Sequence, residues 1–507
     1  MFNIKSVFIA DDIDPVCPKI LQENGFKVQS KTKLPKEELI KELQGYDALI
    51  VRSATKVTED VIYAADTLKL IGRAGTGVDN IDMQAATKKG IIVMNTPMGN
   101  SISAAELTCG MICSLSRNIP QAHHSMKDGK WDRKKYMGSE LYGKTLAIIG
   151  LGRIGREVAQ RMQSFQMNTI GYDPLVSAED AEDFNVEWLP LEELWPLADY
   201  ITVHVPLIKP TENMINNNVF SKCKKGVRIV NCARGGIVNE DDLLKALESG
   251  ECGGAALDVF VEEPPSNRAL VDHPKCIAVP HLGASTKEAQ FRVAEEIAHQ
   301  IVDVKKGVTL NGALNARAAA AALNPINAGW LKTAENLAAI IREISDDKKV
   351  NDIKLLVPQV AGNIGEGLKA AVTVGILQKR STTGLNLINV EQFGRAAGIQ
   401  VSIEPTESKQ LSVTTGERTV TGVSSTLGLT LLTQLDENKF STGICCTGFL
   451  VFTSEVELLK AGFLDNVGKE PVATYVSSNR NLGAAVFLSL DAADQLYLRE
   501  KFTIISF

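Results

Sequence analysis

TLAIIGLGRIGREVAQRMQSFQMNTIGYDP, residues 145 to 174, runs from an apolar strand through a glycine turn and an amphipathic helix into a second strand that ends on an acid. Thr145 to Ile149 read as a buried strand. Gly150, Gly152 and Gly155 follow at the spacing that lets the backbone turn, approach a pyrophosphate and pack helix on sheet. The helix opening at Arg153 points its unpaired N–H groups at such a pyrophosphate. Asp173 stands about twenty residues past the turn, where a carboxylate accepts ribose hydroxyls and repels a 2′-phosphate. A glycine triplet alone is a weak signal; the strand, helix and acid around it make this one specific. The unit predicts a dinucleotide site that selects NAD over NADP.

The chain has 507 residues, more than one hydrophobic core usually supports, so about three domains are expected. Its 44% hydrophobic and 22% charged residues are typical of a soluble globular protein. A net charge of −6 gives no basic footprint for nucleic acid, so an anionic substrate must be met by local cations. The opening MFNIKSVFIADD has too short an apolar run for a signal peptide, and no stretch approaches the roughly 18 apolar residues of a membrane span. A cytoplasmic protein with neither membrane nor nucleic-acid partner is expected. The 9 cysteines are scattered, without the spacing of a disulfide or zinc framework, and no metal is expected.

Upstream of the dinucleotide unit, Val7 to Ala10, Ala48 to Val51, Leu70 to Gly72 and Ile91 to Asn95 read as strands separated by amphipathic stretches, a small parallel α/β domain. A helix over Ala104 to Arg117 is expected to start at a capping box of Ser103 and Glu106. A basic, aromatic loop, KDGKWDRKKYMG, follows it. Downstream, Ile201 to Val205, Val227 to Asn231, Gly254 to Leu257 and Cys276 to Val279 continue the parallel sheet. The helix starting in Ser285 to Glu288 then carries the chain back toward the first domain. Asn311 to Leu323, NGALNARAAAAAL, changes character abruptly, and Asn324-Pro325 is expected to close it and the catalytic half; a helix over Leu331 to Ile344 and strand-like alternation around Leu411 to Val423 follow. The tail parses as strand Gly448 to Phe452, helix Glu455 to Lys469, strands Val472 to Val476 and Gly483 to Leu488, helix Asp491 to Lys501 and strand Phe502 to Ser506, a βαββαβ unit. The expected domains are a discontinuous substrate-binding domain of 1–98 and 287–311, a Rossmann-type doubly wound domain of 99–286, an intervening α/β domain of 323–440 and a terminal α+β unit of 447–507.

An enzyme that oxidises an alcohol with a nicotinamide needs a base for the hydroxyl proton, a partner for that base, and a cation for a substrate carboxylate. Arg234 in NCARGGIV, Glu263 in LDVFVEEPP and His281 in VPHLGAST each follow a predicted strand. The carboxyl ends of strands in a doubly wound sheet line the ligand crevice, so these three can converge. A carboxylate beside a histidine orients the imidazole and stabilises its cation.

GLGRIG, YITVHVPL, NCARGGIV, ALDVFVEEPP and PHLGASTKE resemble the signatures of the D-2-hydroxyacid dehydrogenases, in order and at family spacing, over roughly residues 5 to 315. Within that family VRSATKVT, RAGTGVDN and NTPMGNSISAAELTCGM are similar to the branch that acts on a phosphorylated 2-hydroxy acid. The resemblance implies His281 as acid/base, Glu263 as its partner and Arg234 as the substrate anchor. It implies NAD contacts from Thr76, Gly150, Gly152, Arg153, Ile154, Gly155, Asp173, Val205, Pro206, Cys232, Ala233, Asp258, Gly283 and Ala284. Val205 stands where relatives often carry threonine. Arg52, Ser53 and Arg73 are implied to face substrate, and Arg133 and Lys134 to reach a neighbouring subunit's site in a homodimer or homotetramer. The first domain is expected to be flavodoxin-like and the tail an ACT-like regulatory fold. In that tail Glu455 and Glu457 disfavour an anionic effector at the loop after the first strand. Two other readings are an unphosphorylated hydroxypyruvate or glyoxylate reductase of the same family and an NAD-binding transcriptional corepressor.

Overall fold

The computed structural model describes residues 3–345, 350–362, 364–378, 384–454 and 471–507. The chain divides into two compact units, one of residues 14–16 and 96–296, the other of residues 1–13, 17–95 and 297–507.

In the latter unit the first sheet holds β1 (Ser6–Ile9), β2 (Lys27–Ser30), β3 (Ala48–Val51), β4 (Leu70–Arg73) and β5 (Ile92–Asn95). All pair in parallel in the order β2-β1-β3-β4-β5, which is the flavodoxin-like order. SVFI, ALIV and IVMN are buried along their whole length because helices cover both faces of a parallel sheet, whereas the edge strand KVQS stays partly exposed.

The unit of residues 96–296 holds β6 (Thr145–Ile149), β7 (Asn168–Tyr172), β8 (Glu187–Trp188), β9 (Tyr200–Val203), β10 (Val227–Asn231), β11 (Cys252–Leu257) and β12 (Cys276–Ala278). These seven parallel strands run β12-β11-β10-β9-β6-β7-β8. The order reverses between β6 and β9, and a doubly wound sheet opens its crevice at that reversal. The helix Ser101–Arg117 begins earlier than expected, and the expected capping box is absent. Ser103 lies inside the first turn, where its hydroxyl pairs with that of Thr286 at 2.7 Å. Glu106 faces Arg161 at 3.8 Å instead of reaching back to the cap.

Beyond residue 311, Asn324-Pro325 opens a helix as well as ending the previous one. The Asn324 side chain accepts from the Ile326 N–H at 3.0 Å, and Pro325 takes the first helical position, where a missing N–H costs nothing. The resulting helix Pro325–Ile344 packs with Gly365–Leu377 on a sheet of β13 (Asp352–Pro358), β14 (Gln400–Thr406), β15 (Leu411–Thr415), β16 (Arg418–Ser424), β17 (Thr430–Leu435) and β18 (Asn438–Cys445), ordered β14-β13-β15-β16-β17-β18. The last sheet, β19 (Phe449–Thr453), β20 (Ala473–Val476), β21 (Gly483–Phe487) and β22 (Thr503–Ser506), is antiparallel in the order β20-β21-β19-β22, with the helix Ala492–Lys501 before β22. The sequence-expected helix Glu455 to Lys469, with Glu455 and Glu457, lies outside the described residues. One apolar cluster spans both sheets, joining Trp330, Leu337 and Leu355 to Leu450, Val486 and Ile505.

All cysteines are free thiols. Burial pushes the thiols of Cys223, Cys232, Cys276 and Cys446 up to about 12. Only the thiolate is nucleophilic, so iodoacetamide at about pH 8 is expected to leave Cys232 unlabelled in the folded protein. Peptide mass spectrometry checks this, and rapid labelling of Cys232 before unfolding would contradict it.

Candidate active site

The turn after β6 has the shape its glycines suggest. Gly150 has φ +97° and lies so close to the His204 carbonyl that a Cβ would stand 2.5 Å from it, while Gly155 backs onto the Gly150 carbonyl at 2.0 Å by the same measure. A Cβ on Gly152 would meet nothing within 4 Å. The open side of the turn is thus the side on which the helix Arg153–Gln163 begins. Asp173 follows β7, its Oδ2 accepting from the Leu151 N–H at 2.9 Å and its Oδ1 from the Leu175 N–H at 2.8 Å. Each oxygen keeps a lone pair for a ribose hydroxyl. Glycine turn, helix start and held carboxylate occupy the positions a dinucleotide requires, and these residues fit NAD.

Across the reversal, His204, Val205 and Pro206 follow β9, and the Val205 side chain packs against the glycine turn. The next strand, β10, ends at Asn231, whose side chain organises the turn after it. Asn231 is 2% exposed, accepts from the Ala233 N–H at 3.0 Å and donates to the Arg234 carbonyl at 2.8 Å. Cys232 is buried, so any ligand contact from it would come through its backbone. Gly235 lets this turn meet the segment after β11, because a Cβ there would stand 1.9 Å from the Phe260 carbonyl.

Glu263 and His281 do meet. His281 Nδ1 lies 2.8 Å from Glu263 Oε2, and Glu263 Oε1 accepts from the Phe260 N–H at 3.3 Å. With the carboxylate accepting at Nδ1, the other ring nitrogen, Nε2, is left to exchange a proton. The His281 backbone has φ +53°, the left-handed region that a side-chain-bearing residue seldom adopts. Asp258 accounts for it. Its carbonyl accepts from the His281 N–H at 2.9 Å, its Oδ1 from the Leu282 N–H at 2.5 Å and its Oδ2 from the Gly283 N–H at 2.8 Å. Burial raises the Asp258 carboxyl above its ordinary range, against the lowering effect of those two N–H groups.

Asp258 therefore holds the histidine loop. Replacing it with asparagine turns one of the two N–H groups toward an amide NH2, which costs about 1–3 kcal/mol for a buried unpaired donor. Asp258→Asn is expected to lower the melting temperature and to cut kcat by displacing His281. Thermal unfolding and steady-state kinetics check this; unchanged kcat would free His281 from that anchor.

In the other unit, Arg52 and Ser53 follow β3, Arg73 ends β4 and the Thr76 carbonyl accepts from Asn95 Nδ2 at 2.6 Å. Arg133 and Lys134 are exposed on the segment before Ser139, which Arg228 holds through its Nη1 at 2.8 Å. Among the described residues, no His/Cys/Asp/Glu group could hold a metal and no helix is long and apolar enough to cross a membrane.

Comparison with known proteins agrees with this geometry. Residues 109–283 match the NAD binding domain of the D-isomer specific 2-hydroxyacid dehydrogenases. The chain is 58% identical over 401 residues to the D-3-phosphoglycerate dehydrogenase of Homo sapiens, covering 79% of this chain and 75% of the relative. The chain belongs to the D-isomer specific 2-hydroxyacid dehydrogenase family. The Bacillus subtilis D-3-phosphoglycerate dehydrogenase is 42% identical over 439 residues, covering 84% of this chain and 82% of the relative. Among solved structures, Aquifex aeolicus D-lactate dehydrogenase complexed with NAD and lactic acid superposes with a TM-score of 0.53 at 30% identity, covering 60% of this chain and 96% of that one.

Proposed function

We propose that this member of the family oxidises D-3-phosphoglycerate to 3-phosphohydroxypyruvate with NAD. The His281–Glu263 pair carries the reaction class, and similarity to the D-3-phosphoglycerate dehydrogenases over 79% of the chain carries the substrate. NAD is held by Gly150, Gly152, Arg153, Ile154 and Gly155 at the turn, by Asp173 on the ribose, and by Thr76, Val205, Pro206, Cys232, Ala233, Asp258, Gly283 and Ala284 along its length. Bound there, it supplies the hydride acceptor. His281 Nε2 takes the hydroxyl proton while Glu263 holds Nδ1–H and balances the imidazolium charge. Arg234 pairs with the substrate carboxylate, and its guanidinium polarises the carbonyl oxygen as it forms. Arg52, Ser53 and Arg73 meet the anionic remainder of the substrate.

A cytoplasmic homo-oligomer fits this reading. The segment 98–142 exposes Met98, Ile102, Ile119, Trp131, Met137 and Tyr142, the kind of apolar surface that a subunit contact covers. Arg133 and Lys134 lie on the same segment and act in a neighbouring subunit's site. The segments 323–440 and 447–507 serve regulation, the latter as the ACT-like unit. A rate comparison among D-3-phosphoglycerate and D-glycerate with NAD, and glyoxylate with NADH, separates the readings. Preference for the phosphorylated substrate supports the proposal, preference for an unphosphorylated one makes the chain a reductase of the same family, and NAD binding without turnover of any of the three makes it a corepressor.

A further inference from the structure

Arg52 and Arg73 stand at the carboxyl ends of neighbouring strands of the first sheet, Arg52 Nη1 donating to the Asp12 carbonyl at 3.3 Å and Arg73 Nη1 to the Ala74 carbonyl at 3.4 Å. Val51, which precedes Arg52, is the register partner of Arg73 on the adjacent parallel strand. The loop Arg52–Thr55 is held from two sides. Asp11, 5% exposed, accepts through Oδ2 from the Arg52 N–H at 2.6 Å and the Thr55 N–H at 3.2 Å, and through Oδ1 from the Thr55 hydroxyl at 2.6 Å. Asn80 donates through Nδ2 to the carbonyls of Arg52 at 2.7 Å and Thr55 at 2.6 Å. The other end of the same amide, Oδ1, faces Arg73 Nε at 3.5 Å. Gly75 leaves room for that guanidinium, since a Cβ there would stand 1.7 Å from Arg73 Nη1. One amide thus holds the loop of the first arginine with its donor half and, at the outer limit of hydrogen-bond distance, faces the side chain of the second with its acceptor half.

We infer that Asn80 is a specificity-determining positioning residue, which sets Arg52 and Arg73 at the spacing required by a substrate bearing a second anionic group. The inference rests on the reading above that these two arginines face the substrate. An amide is suited to this position because it satisfies two carbonyls and a guanidinium at once. A carboxylate lacks the N–H donors, and an alkyl chain lacks both functions. A purely structural Asn80 would stabilise its turn and treat every substrate alike.

The test uses full-length enzyme carrying Asn80→Ala, Asn80→Asp, Gly75→Ala, Arg52→Ala or Arg73→Ala, with KM and kcat measured separately for D-3-phosphoglycerate and D-glycerate. Asn80→Ala and Asn80→Asp are expected to raise KM for the phosphorylated substrate about tenfold or more, the scale of one misplaced charge-assisted contact, with kcat little changed. D-glycerate should lose far less. Gly75→Ala displaces the Arg73 guanidinium without touching Asn80 and should lower the same preference, which keeps the test open if the Asn80 variants fail to fold. Loss of preference in the arginine variants but not in the Asn80 or Gly75 variants overturns the inference and leaves the reading standing. Retained preference in both arginine variants overturns the reading and the inference together.

Discussion

Replacing His281 with alanine lowers kcat for D-3-phosphoglycerate oxidation at least about 100-fold, the lower end of what a positioned general base contributes. NAD affinity is expected to survive, because the turn at Gly150 and the carboxylate of Asp173 are held by contacts that do not involve His281. Glu263→Gln should give a smaller loss, since the amide oxygen still accepts at Nδ1 but no longer balances the imidazolium charge. The decisive variant carries both changes. If Glu263 acts only through its 2.8 Å contact with His281, the double variant is no slower than His281→Ala alone. A multiplicative loss would give Glu263 a role of its own.

The second large effect concerns cofactor choice. Asp173→Ala should lower the ratio of kcat/KM for NAD over NADP by about tenfold or more, equivalent to about 1.4 kcal/mol, as one repulsive charge facing the 2′-phosphate is removed. Alanine also releases the N–H groups of Leu151 and Leu175, so a general loosening of the turn must be separated from the charge effect. Asp173→Asn narrows this, since it removes the charge while keeping the size and an acceptor oxygen for the Leu151 N–H, and the exposed Leu175 N–H can turn to water. Both variants should accept NADP better than the parent in kcat/KM. A parent enzyme that prefers NADP, or an Asp173→Asn variant with the parent's selectivity, would remove Asp173 from cofactor choice.

Residues that announce themselves by position were legible in the sequence. The doubly wound sheet follows from apolar runs too continuous for a one-sided strand, and the meeting of Glu263 with His281 follows from both standing just past such runs, where strand ends open onto the crevice. Residues that act through a partner distant in sequence were less legible. Asp258 reads in the sequence as an NAD contact; that its two oxygens also hold the backbone of Leu282 and Gly283 is a pairing that only the fold reveals. Asn231 and Asn80 work in the same way, as amides at strand ends and turns that read in isolation as ordinary turn formers. Ser103 had capping-box spacing, but the hydroxyl of Thr286, far away in the chain, competed for it. Asn324-Pro325 was ambiguous because an Asn-Pro pair both ends one helix and caps the next. The core that joins Trp330 to Ile505 spans residues too distant for periodicity to connect.

The most direct test of the account is to mix the purified protein with NAD and D-3-phosphoglycerate, follow NADH absorbance and identify the product. NADH is expected to form in equal amount with 3-phosphohydroxypyruvate, with no such formation on the same timescale for the His281→Ala variant. NADH formation that persists in His281→Ala, or none at all from D-3-phosphoglycerate with the parent protein, would contradict it.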